Sequence, residues 1–404
     1  MIGNRIRQAR LASGMTLEDL AQKMHDRDQP ITRAGLSKYE NEKSTPRQSF
    51  LMTLGQVLNV KPSYFITEPS VSVQWVAFRK QSRLSKSRQS QIKAFAAQRV
   101  ERHLWLEETL CPSERPAFPA RRAVSSVDDA EQAAGALREK WNLGEGPIDS
   151  LTKLIEDRGG VVVNLVQVTT QFDGLSGWAN EDVPVVVVNA NVPDDRLRFD
   201  LGHELGHLLM ECGDVDDKEE ETYAHRFASA LLVPACVIRR ELGPKRRRIA
   251  VREFAILKRK YGLSMQCLIR SALDAEIIEP SQYRKLCIDF SSFGWRKKEP
   301  VEFRGDESPS RMLQMTLRAL SEGIISADRA EQFCPGITSE SATPQTTAKS
   351  VSAAELRRMP CEQRNRILQE AAQQAEQEYR HNRELTDFEA FSEEDLDGND
   401  KNSP

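Results

Sequence analysis

Apolar positions in residues 1–66 recur at helical spacing in four short runs separated by polar turns. In "IGNRIRQARLAS", Ile2, Ile6 and Ala9 share a side, with arginines opposite. "TLEDLAQKM" sets Thr16 as an N-cap before Leu17, Leu20 and Met24. "TRAGLSKYEN" predicts a third helix, and "PRQSFLMTLGQVLNV" a fourth with Pro46 in its first turn. This succession, with a turn joining the second and third helices, predicts a helix-turn-helix module. Further on the pattern changes. "VVVNLV" and "VPVVVVN" are β-branched strands flanking "DGLSGWA", which reads as a turn leading into another strand. Helical periodicity returns in "DDAEQAAGALREKWNL", in "GPIDSLTKLIEDRG" closed by Gly159 and Gly160, in "DDRLRFDLGHELGHLLMEC", and in "EEETYAHRFASALLVP", stopped at Pro234. Helices around a small sheet, without βαβ alternation, predict an α+β body. "FGWRKKEPVEF" reads as strand-like, helices follow it, and "TSESATPQTTAKS" is low-complexity linker.

A length of 404 residues exceeds one ordinary core, and 39% apolar residues is low for a single compact body. The expected fold class is therefore multidomain. An all-α module at 1–70 leads into a basic connecting helix and linker at 71–122. An α+β domain spans 123–290, a helical extension 291–337, and a linker with a partly disordered helical and acidic tail 338–404. A net charge of −3 says little about partners, but its distribution does. Lys or Arg occupies 79, 80, 83, 86, 88, 93, 99 and 102, which suits either an extra helix touching DNA phosphates or a connecting helix that packs Phe95, Val100, Leu104 and Leu106. Seven cysteines, without a Cys-x-x-Cys pair, point to reduced thiols in a cytosol. The first residues lack an apolar signal core and "VPVVVV" is too short to span a bilayer, so a soluble, cytoplasmic protein without a membrane partner is expected.

"FDLGHELGHLLMEC" carries the sharpest chemistry. Helical geometry puts His203 and His207 on one face a turn apart, a spacing that suits two imidazole nitrogens at about 2.0–2.1 Å from one zinc ion. Glu204, about 100° further round, can take a proton from water without ligating metal. A His-Glu-x-x-His group arises by chance in about one chain per hundred of this composition. The next helix lowers the weight of that reading, because an antiparallel return would face a carboxylate of Glu219, Glu220 or Glu221 toward the two histidines.

Two stretches resemble known families. "IRQARLASGMTLEDLAQKM…ITRAGLSKYENEKSTPRQSFLMTLGQVLNV" is similar to the lambda-repressor-like, XRE-type DNA-binding domain. In that light Thr32, Arg33, Ser37 and Lys38 face base edges or phosphates of double-stranded DNA at the chain's own operator, with Arg5, Arg7 and Arg10 as backbone contacts. Two departures stand out: "HDRDQP" is a longer turn than usual, and Glu42 stands where the family commonly has glycine. Residues from roughly 125 to 240 resemble the ImmA/IrrE metallopeptidases, which have a zincin-like fold. Their Glu-x-x-Ala-x-x-Phe-Ala-x-x-Leu-Leu-x-Pro motif is matched by Glu221, Ala224, Phe227, Ala228, Leu231, Leu232 and Pro234. The resemblance selects Glu221 as third ligand for Zn²⁺, or Mn²⁺ in its place. It also implies Glu204 as catalytic base. His225 stands where the family usually has Asn or Asp; sharing the face of Glu221, it would hydrogen-bond a ligand, steady an oxyanion, or make an outer contact.

The resemblances together imply a regulator with a zinc-dependent endopeptidase domain that cleaves a partner repressor or antitoxin in stress, mobile-element or toxin–antitoxin control. A peptide would lie as an added strand along the sheet edge near "GLSGWA". The competing reading is a DNA-binding repressor or antitoxin whose peptidase fold is a non-catalytic sensor or scaffold. The tail resembles short antitoxins that wrap a toxin, so a co-encoded toxin held by residues 351–400 is an expected partner, against a merely solvated tail. A homodimer is left open.

Overall fold

The computed structural model describes residues 2–77, 84–112, 115–166 and 172–340, with positions 364, 365, 368, 369 and 372. The chain divides into a unit of residues 1–341 and a second of 342–404. The tail expected to bind a toxin falls outside the described residues, apart from those few positions.

Four helices open the first unit: α1 (Ile2–Ala12), α2 (Leu17–His25), α3 (Arg33–Glu40) and α4 (Gln48–Leu58). Thr16 caps α2 reciprocally: its hydroxyl accepts from Asp19 N at 3.1 Å, while its own N–H donates to Asp19 Oδ2 at 2.8 Å. Ile6, Leu20, Met24, Leu36, Leu54 and Phe65 fill the module's core. Asp28, in the long turn before α3, and Glu42, just after it, take the left-handed conformation with φ of 57° each. Glu42 thus adopts the backbone that glycine serves in the related family, at a cost of about 1 kcal/mol.

Next come β1 (Val73–Ala77) and the long α5 (Lys86–Leu110). The body continues with β2 (Arg122–Ala123), α6 (Val127–Lys140), α7 (Leu151–Asp157), β3 (Val161–Leu165), β4 (Gly174–Ala179) and β5 (Val183–Asn189). Then follow α8 (Asp194–Leu209), β6 (Met210–Glu211), α9 (Asp217–Leu232), α10 (Ala235–Leu242), α11 (Val251–Tyr261), α12 (Met265–Asp274) and α13 (Pro280–Ser292). The helices α14 (Arg311–Ser321) and α15 (Ala327–Phe333) pack against the C-terminal end of α5. The main sheet has the order β1-β4-β5-β3, with β3 parallel to β5 and β4 antiparallel to both neighbours. Every residue of β5 is buried, because α5 covers one sheet face and α8 the other. That double cover explains why "VPVVVVN" is an unbroken apolar run. Four fully buried valines, Val185–Val188, each contribute about 1.5–3 kcal/mol of burial.

The segment read as connector is thus part of the body. β1 adds an edge strand to β4 through Val73↔Ala179, Gln74↔Trp178 and Trp75↔Gly177. α5 buries Ile92, Ala96 and Val100 against Val161, Val163 and Val185. Of the two readings of this helix the packed one holds: Arg99 and Arg102 donate to the carbonyls of Phe333 and Gln332 rather than facing outward as phosphate contacts. Burial lowers both guanidinium pKa values, that of Arg102 to about 10. Arg5 is likewise not a backbone contact for DNA: it pairs with Glu101 of α5 at 2.7 and 3.0 Å and donates to the carbonyls of Thr67 and Glu68. Arg10 is buried against Glu40. The strand expected in "FGWRKKEPVEF" does not form; residues 295–304 run as an irregular strap. No helix among the described residues is long and apolar enough to cross a membrane.

Candidate metal centre and DNA-binding face

α8 and α9 pack closely because glycine faces α9 where the helices approach. A Cβ on Gly206 would lie 3.1 Å from the Phe227 ring, and one on Gly202 would lie 3.4 Å from the Ala228 Cβ. That approach brings Glu221, in the second turn of α9, against the histidines of α8. His203 Nε2 and His207 Nε2 stand 3.1 Å apart, and Glu221 places Oε2 3.5 Å from the first and Oε1 3.6 Å from the second. Four donors at about 2.0–2.1 Å around a tetrahedral ion are about 3.3–3.4 Å from one another, so this trio matches three corners of a zinc site. Among the described residues, His203, His207 and Glu221 form the metal-capable cluster.

The surroundings favour a cation. Burial alone would pull the His207 imidazolium down, but hydrogen bonding to Glu220 and Glu221, with Glu204 nearby, carries its pKa up to about 9. The same carboxylates that favour a proton there would stabilise a divalent ion. Glu220 sits 3.3 Å from His207 Nδ1, the nitrogen turned away from Glu221, and this contact lowers the Glu220 pKa. Glu220 is half-buried, and Glu219 is exposed. Glu204 is buried beside β4: a Cβ on Gly174 would fall 2.4 Å from Glu204 Oε1. Gly174, read from sequence as part of a turn, begins the strand and leaves room for that carboxylate. His225 is exposed, its ring 4.8 Å from the His203 ring and 5.8 Å from that of Phe199.

The outer edge of β4, where an added peptide strand was expected, is already held by β1 over Ser176–Ala179. Among the described residues, only Gly174 and Leu175 lie beyond that pairing, at the Glu204 end. Beside the metal cluster opens a cavity of about 1000 Å³ between the first half of α8 and the 295–304 strap. Sequence reasoning missed this strap, whose anchor Glu299 shows no local signal of its partners. Cys267 lines the cavity, but burial raises its pKa to about 11, so it is no thiolate nucleophile at neutral pH.

In the helical module, Thr32 caps α3 by accepting from Gly35 N at 3.1 Å. Arg33 and Lys38 are exposed and Ser37 is half-buried. Arg33 makes only a surface ion pair with Glu18 at 2.9 Å, which phosphate could displace at little cost.

A helical DNA-reading module and a body built on a His-Glu-x-x-His helix define a regulator with a peptidase-like domain. Comparison with known families agrees: residues 6–65 match the helix-turn-helix family and residues 157–271 the IrrE N-terminal-like peptidase domain. The chain thus joins an XRE-type DNA-binding domain to an ImmA/IrrE-like metallopeptidase-family domain. No curated protein matches the chain.

Proposed function

We propose that this chain is a zinc-dependent endopeptidase carried by its own DNA-binding domain, and that it cleaves a partner repressor or antitoxin. The observation that carries this reading is the trio His203, His207 and Glu221, whose donor spacings match a tetrahedral ion, with Glu204 alongside. Zinc held there, or manganese in its place, would act as a Lewis acid and lower the pKa of water. Glu204 accepts the proton of the attacking water and returns it to the leaving amine. Glu220, 3.3 Å from His207 Nδ1, would steady the ring with Nε2 toward the centre. His225, open to solvent above His203, is placed to donate to the carbonyl oxygen as charge develops on it.

The test is to mix zinc-loaded protein with the products of adjacent genes and follow fragments by mass spectrometry. Cleavage by the wild type, absent in Glu204→Gln with zinc content unchanged, supports the reading. Wild-type protein that holds zinc and cuts none of them, nor an unstructured peptide pool, favours a sensor or scaffold. The DNA arm is tested on the chain's own promoter: Arg33→Ala and Lys38→Ala should each weaken binding and reduce the salt slope by about one.

A further inference from the structure

We propose that the cavity between α8 and the 295–304 strap is a specificity subsite that receives acidic side chains of a peptide substrate. The proposal rests on the peptidase reading above and names the chemistry of what that site selects. The cavity reaches the metal cluster at Phe199 and His225, whose rings stand 6.4 and 4.8 Å from that of His203. Its far wall lies beyond the matched peptidase stretch of 157–271, so this chain supplies it separately.

The wall is firmly held. Glu299 accepts from Met265 N at 3.0 Å and Gln266 N at 3.1 Å, and it pairs with Lys258 Nζ at 2.8 Å. Phe303 lies over the Arg198 guanidinium at 5.0 Å and against Gly262, where a Cβ would come within 2.7 Å of its ring. Gly305 N donates to Asp194 at 3.0 Å. A strap pinned at three places presents its remaining side chains in fixed positions.

Charge is divided unevenly between the two sides of the cavity. On the floor two carboxylates share each cation, Asp195 and Glu299 on Lys258 and Asp173 and Asp200 on Arg196, and Asp194 takes Gly305 N, so the floor stays acidic and the unpaired cations stand on the wall. Arg296, Lys297, Lys298 and Arg304 are exposed on the wall, and none forms an ion pair among the described residues. Only Glu302 opposes them on that stretch. A run of exposed cations is often just a solvated face. Here it borders an aromatic-lined cavity that ends at a hydrolytic centre, which suits side chains of a peptide better than the convex backbone of a duplex.

The test uses full-length, zinc-loaded Glu204→Gln protein and two fluorescein-labelled peptides that differ only in three central acids replaced by their amides. Anisotropy should show the acidic peptide binding about tenfold tighter at low salt, with the preference shrinking as salt rises. Adding Lys297→Glu and Lys298→Glu should abolish the preference while the melting temperature stays put, since both side chains are exposed. Equal affinity for the two peptides, or a preference that survives the double reversal, overturns the subsite. So does displacement of the acidic peptide by duplex DNA when Arg33 and Lys38 are alanine, because the patch would then serve nucleic acid. Should the wild type cleave nothing while the Glu204→Gln protein still selects the acidic peptide, the endopeptidase reading fails and the subsite stands.

Discussion

Replacing each carboxylate at the start of α9 by alanine separates the roles that sequence alone left open. Glu221 contributes both carboxylate oxygens to the cluster, at 3.5 Å from His203 Nε2 and 3.6 Å from His207 Nε2. With the 3.1 Å between the two imidazole nitrogens, these edges bracket the roughly 3.3–3.4 Å of a tetrahedral zinc site. Glu220 meets the opposite nitrogen of His207 at 3.3 Å, so its loss should loosen the ring without removing a donor. Glu220→Ala should therefore weaken zinc binding by about 10–100-fold, the usual effect of an orienting partner. Glu221→Ala should cost more than the hundredfold bound, that is more than about 2.8 kcal/mol in all at roughly 1.4 kcal/mol per tenfold. Glu219→Ala should change nothing, because Glu219 is exposed. The assay is competition against a chelator of known affinity on full-length protein, with metal counted by elemental analysis and folding checked by circular dichroism. If Glu220→Ala loses more zinc than Glu221→Ala, or if Glu221→Ala competes as well as wild type, the assignment of the third ligand is wrong.

Gly174→Ala should keep zinc and lower cleavage by about a hundredfold, since the added Cβ lands 2.4 Å from Glu204 Oε1 and must push the base aside; unaltered turnover would show that the approach does not position it. Glu101→Ala should cost about 3 kcal/mol in urea unfolding, because it strands the buried Arg5 guanidinium between α1 and α5; a loss below about 0.5 kcal/mol would refute the clamp. His103 is buried on α5, and burial lowers its pKa to about 4. Between pH 4 and 6.5 the unfolded chain therefore binds a proton that the fold refuses, and stability should fall by on the order of 3 kcal/mol as pH drops through that window. His103→Gln should flatten this dependence; an unchanged pH profile would mean that another group carries it.

What the sequence revealed follows the range of the signal. The DNA-binding module and the His-Glu-x-x-His helix are local patterns, because three- and four-residue spacings place Ile6, Leu20, His203 and His207 without knowledge of the rest. The strand β1 has no such signature. "VQWVA" is five residues long, and its partner β4 lies about a hundred residues on, so only the folded sheet shows that the expected free edge is taken. The opposite error arose at "FGWRKKEPVEF". Its alternation resembles a strand, yet Pro300 removes a donor, and the side chain of Glu299 is committed to capping α12, leaving a strap with no sheet partner.

Positive charge was the least legible feature, and the reason is specific. Arg5, Arg10, Arg99 and Arg102 read in sequence as candidates for phosphate, yet each finds an acceptor inside the protein: Glu101, Glu40 and the carbonyls of Phe333 and Gln332. Arg296, Lys297, Lys298 and Arg304 sat in a stretch read as a mere strand, and they are exposed cations without an ion pair among the described residues. A charge becomes available to a ligand only after the fold has spent its own acceptors, and those acceptors come from residues as far as 234 positions away. For the helix-turn-helix module, Arg33 and Lys38 are the members of its predicted reading face that pass this test, since Arg33 holds only a surface pair that water already screens. The DNA face is thus narrower than the arginine count implies, and one wall of the cleft beside His203 carries unpaired cations that the composition gave no reason to place there.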